Sequence, residues 1–257
     1  MYAFGVTGPG SESLVADLVA ALPGRTATVT AGTAAAPTDA ATIYALAEGA
    51  WRATGEGLSL PEALDRLAPD HDYAIAVEFP GARLPQVAVG DAAPATDPIA
   101  TVDSAADADV DAVVEAVEAT DPHETLESLV AAVKRSPRAD RSGAIATFTG
   151  RVRAKDAPDD ERTEYLKFEK YEGVAEERMA ALEAELEERE GVFDVVMHHR
   201  TGVLEAGEDI VFVVVLAGHR TEAFRTVADG IDRLKEEVPI FKKEVTTGEE
   251  FWVHTRE

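Results

Sequence analysis

Two lysines near the end of the chain have the spacing to take part in proton transfer. Lys235 and Lys242 stand on either side of Pro239, where a turn can bring both ammonium groups to one pocket. Desolvation in such a pocket lowers the pKa of a lysine into a range useful for acid-base chemistry. Lysines around a proline are also common as solvated surface charge, and the spacing by itself leaves both interpretations open.

A histidine and an arginine precede these lysines at a point where the chain changes structure. His219 and Arg220 follow the apolar run 210–216, which predicts a buried strand. Apolar side chains then recur at helical spacing, at Phe224, Val227, Ile231 and Leu234. This helix must end before Pro239, because proline lacks an N–H donor and disfavours helical geometry at the preceding residue. The pair therefore lies between a strand and a helix, where functional sites are common.

Two arginines earlier in the chain could bind a phosphate. Arg151 and Arg153 follow the predicted strand 144–148 and the predicted turn Thr149-Gly150. Side chains two residues apart point to the same side of an extended chain, so both would face one surface. A guanidinium group there could hold a phosphate through two hydrogen bonds.

The charge of the chain excludes several classes of protein. The 257 residues include 49 acidic and 24 basic side chains, which give a formal net charge of −25. This charge argues against a general nucleic-acid or membrane-surface binder, since anionic phosphates would be repelled. Apolar residues make up 46% of the chain and fall in periodic runs, which argues against an acidic disordered protein. Such an acidic protein with few lysines is typical of a halophilic host, where salt screens the charge.

The residue types that are missing set further limits. Cysteine is absent, which excludes disulfides, thiolate metal sites and a cysteine nucleophile, so any sulfur chemistry must import its sulfur. His198 and His199 have no partners at a metal-binding spacing, and we expect neither a metal nor a bound cofactor. The N-terminus lacks a signal-peptide pattern, and no apolar run approaches the roughly 18 residues that span a bilayer. We therefore expect a soluble, cytoplasmic protein.

The distribution of basic residues divides the chain into two predicted domains, residues 1–119 and 120–257. No lysine precedes Lys134. The first domain alternates strands with helices, which favours an α/β sheet, with strands at 2–6, 73–77, 84–89 and 99–102 and helices at 14–22, 60–67 and 110–117. The second mixes them in a less regular order, which favours an α+β fold, with helices at 124–133 and 174–190 and strands at 144–148, 165–171 and 192–197.

The start of the first domain has the layout of a phosphate-binding loop. The strand 2–6 leads into Thr7-Gly8-Pro9-Gly10 and then into a helix. A working loop needs a lysine near its end to reach the phosphates, whereas this chain has Glu12 and Ser13 there. Together with residues 58–91, the loop is similar to a degenerate molybdopterin-guanine dinucleotide biosynthesis protein B domain, a P-loop-like fold. The alternative is a glycine turn that only joins a strand to a helix.

Four segments of the second domain carry a longer resemblance. They read GAIATFTGRVR at 143–153, LKFEKYEGVAEERM at 166–179, HHRTGVLEAGEDIVFVVVLAGHRTEAF at 198–224, and LKEEVPIFKKE at 234–244 with FWV after it. In this order they resemble the catalytic (large) subunit of molybdopterin synthase, over about residues 121–257. Four ordered motifs are far more specific than one short pattern.

The resemblance implies a sulfurtransferase. The family inserts two sulfurs into cyclic pyranopterin monophosphate to make molybdopterin, and the sulfur arrives as a thiocarboxylate at the Gly-Gly C-terminus of a small ubiquitin-like subunit. The family forms a homodimer flanked by two small subunits, a heterotetramer. Its paired catalytic lysines fall on Lys235 and Lys242. Its substrate-binding residues fall on Arg153, His219, Arg220 and Arg256.

Two other functions remain compatible with the sequence. The chain could be a non-enzymatic adaptor of molybdenum cofactor synthesis that docks the sulfur carrier, or a fused nucleotide-binding protein that uses its first domain. An adaptor would have no reason to retain the whole cationic set. A nucleotide-binding titration would decide the second alternative.

Overall fold

The chain divides into two compact units, Met1–Thr125 and Leu126–Glu257. The computed structural model describes residues 1–32, 42–155, 157–171, 173–246 and 250–253, the last range as backbone only. The predicted division after residue 119 lies six residues before this one. Residues 120–125 belong with the first unit because the backbone N–H of His123 donates to the carbonyl of Met1 at 2.8 Å, and the amino group of Met1 is ion-paired with Glu124 at 3.1 Å.

The first unit is built on a parallel sheet. Its strands are β1 (Tyr2–Thr7), β2 (Thr26–Thr30), β3 (Thr42–Ala47), β4 (Ala50–Gly55), β5 (Tyr73–Val77), β6 (Gln86–Val89) and β7 (Ala100–Val102). Its helices are α1 (Ser11–Ala21), α2 (Leu60–Leu67) and α3 (Val110–Glu118). Five strands pair in the order β2-β5-β1-β6-β7, all parallel. The predicted α/β organisation is confirmed, whereas the likeness to a P-loop domain stays a prediction.

The centre of this sheet is buried on both faces, as expected of parallel strands covered by helices. All five residues of β5 are buried, and so are all four of β6. One of them is polar: Gln86 is fully buried, and its Nε2 donates to the carbonyl of Phe79 at 3.1 Å. The Gln86 amide occupies the space beside Gly5, where a Cβ would lie 2.1 Å from its Oε1. Any side chain at this position of β1 would have to displace the buried Gln86 amide, which favours glycine.

Strands β2, β3 and β4 have no counterpart among the elements predicted from sequence. β2 pairs with β5 as the edge of the parallel sheet. β3 and β4 pair with each other as a two-stranded antiparallel hairpin. Their residues are exposed along almost their whole length, so hydrophobic alternation toward a core could not have predicted them.

Over the residues that the structure describes, the second unit combines two antiparallel sheets with three α-helices. Its elements are α4 (Leu126–Lys134), β8 (Ala144–Arg151), β9 (Thr163–Lys170), α5 (Val174–Glu187), β10 (Val192–His199), β11 (Gly202–Glu205), β12 (Asp209–Ala217), α6 (Arg220–Glu237), β13 (Ile240–Thr246) and β14 (Glu250–Val253). The sheets have the strand orders β10-β12-β8 and β11-β9-β13-β14. None of the helices in the described ranges combines the length and apolar character needed to cross a membrane.

Helix α6 packs on the three-stranded sheet with one predicted residue off the core face. Val227, Ile231 and Leu234 are buried as predicted. Phe224 is exposed, because the buried stripe of the helix runs through Ala223 and Gly230 instead. The spacing of residues 224, 227, 231 and 234 is helical, but its first member lies at the edge of the buried stripe and not within it.

One predicted turn is wrong. The turn predicted at Thr149-Gly150 is part of β8, because Gly150 continues the antiparallel pairing with Val211 of β12. After Pro239 the chain enters β13 at Ile240, so Lys242 lies in a strand.

Candidate functional site

The two candidate lysines lie on consecutive elements joined by a short link. Lys235 is exposed in the last turn of α6, which ends at Glu237. The N–H of Val238 still donates to the carbonyl of Leu234 at 3.1 Å, and β13 begins after Pro239. Only Val238 and Pro239 therefore separate the helix of one lysine from the strand of the other.

Lys242 lies on the inner face of the four-stranded sheet. It pairs with the buried Phe168 of β9, so the two side chains lie on the same face of the sheet. Lys243 is the next residue of the strand, and its side chain therefore lies on the other face. The Lys242 side chain is 36% exposed, and its Nζ lies 3.8 Å from a carboxylate oxygen of Glu244. Glu244 also accepts a hydrogen bond from the hydroxyl of Thr163 at 2.6 Å. A half-buried ammonium group beside an apolar ring is suited to holding an anionic, partly aromatic ligand.

Arg153 lies at the same end of the unit as these lysines. Its neighbour Val152 is buried in an apolar cluster that includes Phe168, the residue opposite Lys242. Ile240, the first residue of β13, packs against the same cluster. Arg153 itself is exposed just beyond the end of β8.

Arg151, the other arginine of this segment, is held in place locally. Its Nε donates to the carbonyl of Gly207 at 3.1 Å and lies 3.2 Å from a carboxylate oxygen of Asp209. These contacts secure the start of β12 against the end of β8. Arg151 therefore has a structural role at this end of the sheet.

Helix α6 runs back along the sheet from the end of β12. Near its start, a Cβ on Gly191 would lie 3.2 Å from Cγ of Glu222. Further along, a Cβ on Gly230 would lie 3.1 Å from Cε of Met197 and 3.3 Å from Cγ1 of Val213. The C-terminal turn of α6 is thus directed toward the end of the sheet where β12 begins and β8 ends.

His219 and Arg220 consequently lie at the other end of the helix. His219 is the N-cap of α6, without a side-chain capping bond, and Arg220 is its first residue; both are exposed. Fifteen residues separate Arg220 from Lys235, which at 1.5 Å per residue is about 22 Å along the axis. Within one chain the structure therefore brings Arg153, Lys235 and Lys242 to one end and leaves His219 and Arg220 at the other.

Two residues at the lysine end were not predicted as part of a site. His199 packs its ring edge on Phe168, with 4.9 Å between ring centres, and its Nδ1 lies 2.7 Å from the carbonyl oxygen of Arg200. Burial lowers the pKa of His199 to about 4, and the charge of Lys170 acts in the same direction, against the hydrogen bond to Arg200. The ring is therefore neutral near pH 7, with the proton on Nδ1.

Lys170 is a second lysine on the inner face of the four-stranded sheet. It lies opposite Ile240, two residues from Phe168, and its ammonium is ion-paired with Glu176 at 2.5 Å. The alternation of Phe168 and Lys170 in a predicted strand was a signal for this placement. His199 had no such signal, because its contact with Phe168 joins residues 31 positions apart.

In the first unit, a carboxylate accepts a hydrogen bond from the glycine loop. Gly8 and Gly10 have φ of 118° and 82°, which glycine adopts without strain. The N–H of Gly8 donates to Oε1 of Glu78 at 3.0 Å, and Glu78 itself has φ of 62°. The strand, loop and helix form as expected, but a carboxylate at this position repels a phosphate. Nucleotide binding by this glycine loop stays a prediction, and the contact with Glu78 argues against it.

Other candidate groups add little to the site. Arg256 lies outside the described residues. Among the residues that are described, no three histidine, cysteine, aspartate or glutamate side chains are grouped so that they could hold a metal ion.

Comparison with known proteins identifies the family. Residues 118–237 match the family described as MoaE protein. The whole chain is 52% identical over 262 residues to a probable molybdopterin synthase of Haloferax volcanii, with all of both chains covered. It is 37% identical over 128 residues to the molybdopterin synthase catalytic subunit of Pyrococcus abyssi, which covers 50% of this chain and 82% of that one. Molybdopterin synthase of Staphylococcus aureus aligns in structure with 34% identity and a TM-score of 0.43, over 45% of this chain and 83% of that one. The chain therefore belongs to the family of molybdopterin synthase catalytic subunits.

Proposed function

We propose that this chain is the catalytic subunit of a molybdopterin synthase and acts as a sulfurtransferase. It converts cyclic pyranopterin monophosphate to molybdopterin with two sulfurs, each delivered by one thiocarboxylated Gly-Gly end of a small ubiquitin-like subunit. The observation that carries the proposal is the gathering of Arg153, Lys235 and Lys242 at one end of the second unit, in a chain of net charge −25. Family membership supports the same activity.

The cationic groups suit the substrate. A cyclic phosphate is best held by charge-assisted hydrogen bonds, which Arg153 supplies. The pterin ring can lie against the apolar inner face beside Phe168, next to the Lys242 ammonium. Each thiocarboxylate sulfur bonds to a side-chain carbon of the pterin, and water then cleaves its acyl bond, which leaves the sulfur on the substrate and a carboxylate on the carrier. One lysine accepts the proton that this water loses, and the other, still protonated, assists opening of the cyclic phosphate or loss of water. Because the chain has no cysteine, the sulfur comes from the partner and never resides on this subunit.

We further propose that a second copy of the chain completes the site. His219 and Arg220 lie about 22 Å from Lys235 along α6, too far to contact one small substrate in the same chain. In a two-fold homodimer, the N-terminal end of one α6 can supply these residues to the lysine end of the other. The sulfur carrier then approaches from outside the dimer, which gives the expected heterotetramer.

The lysine roles are tested with neighbouring variants in one strand. Lys242→Ala should lower dithiolene formation from cyclic pyranopterin monophosphate and thiocarboxylated carrier by about 100-fold or more, as expected for loss of an acid-base group. Lys243→Ala is the matched control, because its side chain lies on the opposite face of β13. Equal turnover in wild type and both variants would instead favour an adaptor that only docks the carrier.

The shared site is tested by subunit complementation. Lys242→Ala and Arg220→Ala should each be inactive as homodimers. After mixing and reassociation, half of the dimers carry one copy of each variant, and each of these has one intact site. Activity should then return to about one quarter of wild type. No recovery, in a mixture that demonstrably contains heterodimers, would rule out a site shared between two copies.

A further inference from the structure

The hairpin β3–β4 stands apart from the sheet of the first unit. Its strands pair only with each other in the part of the chain that the structure describes. They are joined at Glu48-Gly49, where Gly49 has φ of 74°. Every residue of β3 is exposed, and so is every residue of β4 except the partly buried Thr54.

One face of this hairpin is apolar and aromatic. The register pairs Leu46 with Trp51 and Tyr44 with Ala53, and residues paired in this way or two apart share a face. The exposed fractions are 64% for Tyr44, 81% for Leu46 and 70% for Trp51, and the Tyr44 and Trp51 ring centres are 6.4 Å apart. A two-stranded hairpin is at best marginally stable in water, and contiguous exposed apolar side chains mark interaction surfaces.

We propose that this face binds the same face of a second copy of the chain. The two hairpins pack about a two-fold axis, with Tyr44, Leu46 and Trp51 of each copy against those of the other. The contact is a property of the first unit. It does not depend on the proposed catalytic function, nor on the contacts made by the second unit.

The charge distribution selects a second copy as the occupant. Residues 42–55 contain one acid, Glu48, and one base, Arg52, so the hairpin has no net charge in a chain of net charge −25. Two such chains repel each other over most of their surfaces, and their approach is least unfavourable where charge is absent. A two-fold contact also requires a surface that complements itself, which a neutral apolar face does.

The area that the hairpin can bury and its low stability alone both favour a second copy as the partner. Two aromatic side chains and one leucine can bury roughly 500 Å² in each copy, or roughly 1,000 Å² in total, which is the lower limit of a specific interface. A hairpin that needs a partner to be stable must find it whenever the chain is folded. A second copy is always present at the same concentration, whereas an unrelated protein is not.

The absence of natural cysteine gives a direct test in the full-length protein. In Leu46→Cys, a short bismaleimide reagent should link two chains at micromolar concentration. Val19→Cys is the matched control, because Val19 is also an exposed apolar residue of the first unit, on α1. Cross-linking of Leu46→Cys no greater than that of Val19→Cys would overturn the proposal.

A second measurement removes the apolar face while keeping the hairpin's length. In the Leu46→Cys protein, Trp51→Glu should lower the yield of bismaleimide-linked chains at least tenfold, and this yield reports on the hairpin and not on a contact between second units. Ala45→Glu adds the same charge to the opposite face of the same hairpin and should have a much smaller effect. The yield for Leu46→Cys alone should rise with salt, since salt screens the repulsion between acidic chains. Equal effects of the two glutamates, or a yield that falls with salt, would contradict an apolar two-fold contact.

Discussion

Replacement of Glu183 by glutamine should stabilise the second unit at alkaline pH. Glu183 lies on α5, and its carboxylate accepts the backbone N–H of Met197 at 2.6 Å. Met197 belongs to β10, an edge strand, so this contact satisfies an N–H that no neighbouring strand pairs. Burial raises the pKa of Glu183 from 4.5 to about 7, and the nearby Glu187 and Asp194 act in the same direction, against the hydrogen bond from Met197. The ionised carboxylate is therefore costly where it lies.

The sign and the size of the effect follow from this pKa. A group whose pKa is raised in the folded state contributes stability that is present below its unfolded pKa and is lost as the pH rises through the folded pKa. The shift from 4.5 to about 7 corresponds to about 3 kcal/mol as an upper limit. Because the side chain is only partly buried, solvent screening reduces this to about 1–2 kcal/mol. Glutamine keeps an oxygen that can accept the Met197 N–H and has no charge to desolvate.

The free energy of unfolding should be measured by urea denaturation from pH 4.5 to pH 8.5. In a Trp51→Phe background the fluorescence reports on Trp252, the other tryptophan, which belongs to the second unit. Glu183→Gln should match the parent protein near pH 4.5 and exceed it by about 1–2 kcal/mol above pH 8. Other titrating groups cancel in this difference, because both proteins contain them.

Glu187→Gln is the control for this experiment. Glu187 lies one helical turn away and also accepts an edge N–H, from Val195 at 3.1 Å, but it is ion-paired with Arg138. Loss of its charge breaks that pair, so we expect no gain at alkaline pH. A Glu183→Gln protein whose advantage is the same at pH 4.5 and pH 8.5 would refute the reasoning, since the effect would then not come from ionisation.

Three further predictions concern other buried positions. The low pKa of His199, about 4 against 6.5, means that stability is lost as pH falls from 6.5 toward 4, and His199→Asn should flatten this acid limb in the same denaturation series. Gly230→Val should cost about 1–3 kcal/mol in the second unit, because its side chain would overlap Met197 and Val213, and equal stability would show that α6 can shift away. Gly5→Ala should displace the buried Gln86 amide at a cost of about 1–3 kcal/mol. Hydrogen exchange should then accelerate in β1 and β6, and unchanged exchange there would refute the close approach.

Secondary structure was predictable wherever one periodicity dominated. The strand 73–77 and the helix 60–67 form with the predicted bounds, because an unbroken apolar run and a capped amphipathic segment each favour one structure. The end of α6 before Pro239 follows from the chemistry of proline alone. The hairpin β3–β4 could not be found in this way, since neither of its faces is buried against the chain's own core.

The sequence proposed the members of the candidate site but not their arrangement. The residue types of Lys235, Lys242, Arg153, His219 and Arg220, together with their motifs, pointed to an anionic substrate and to the correct family. The sequence predicted one cationic pocket without deciding whether one chain or two would form it. Helix α6 separates His219 and Arg220 from the lysines within one chain, because a rigid rod of 18 residues holds its two ends far apart.

The sequence by itself determined the helices and the buried strands that one periodicity dominates, which family the chain belongs to and which charges are available for chemistry. These depend on local periodicity and residue identity, both of which can be read along the chain. Only the tertiary structure decided that Lys242 faces inward beside Phe168, that Lys243 faces outward, and that Glu183 takes the N–H of an edge strand. Strand register and helix direction set these contacts, and they arise from packing between residues that are distant in sequence.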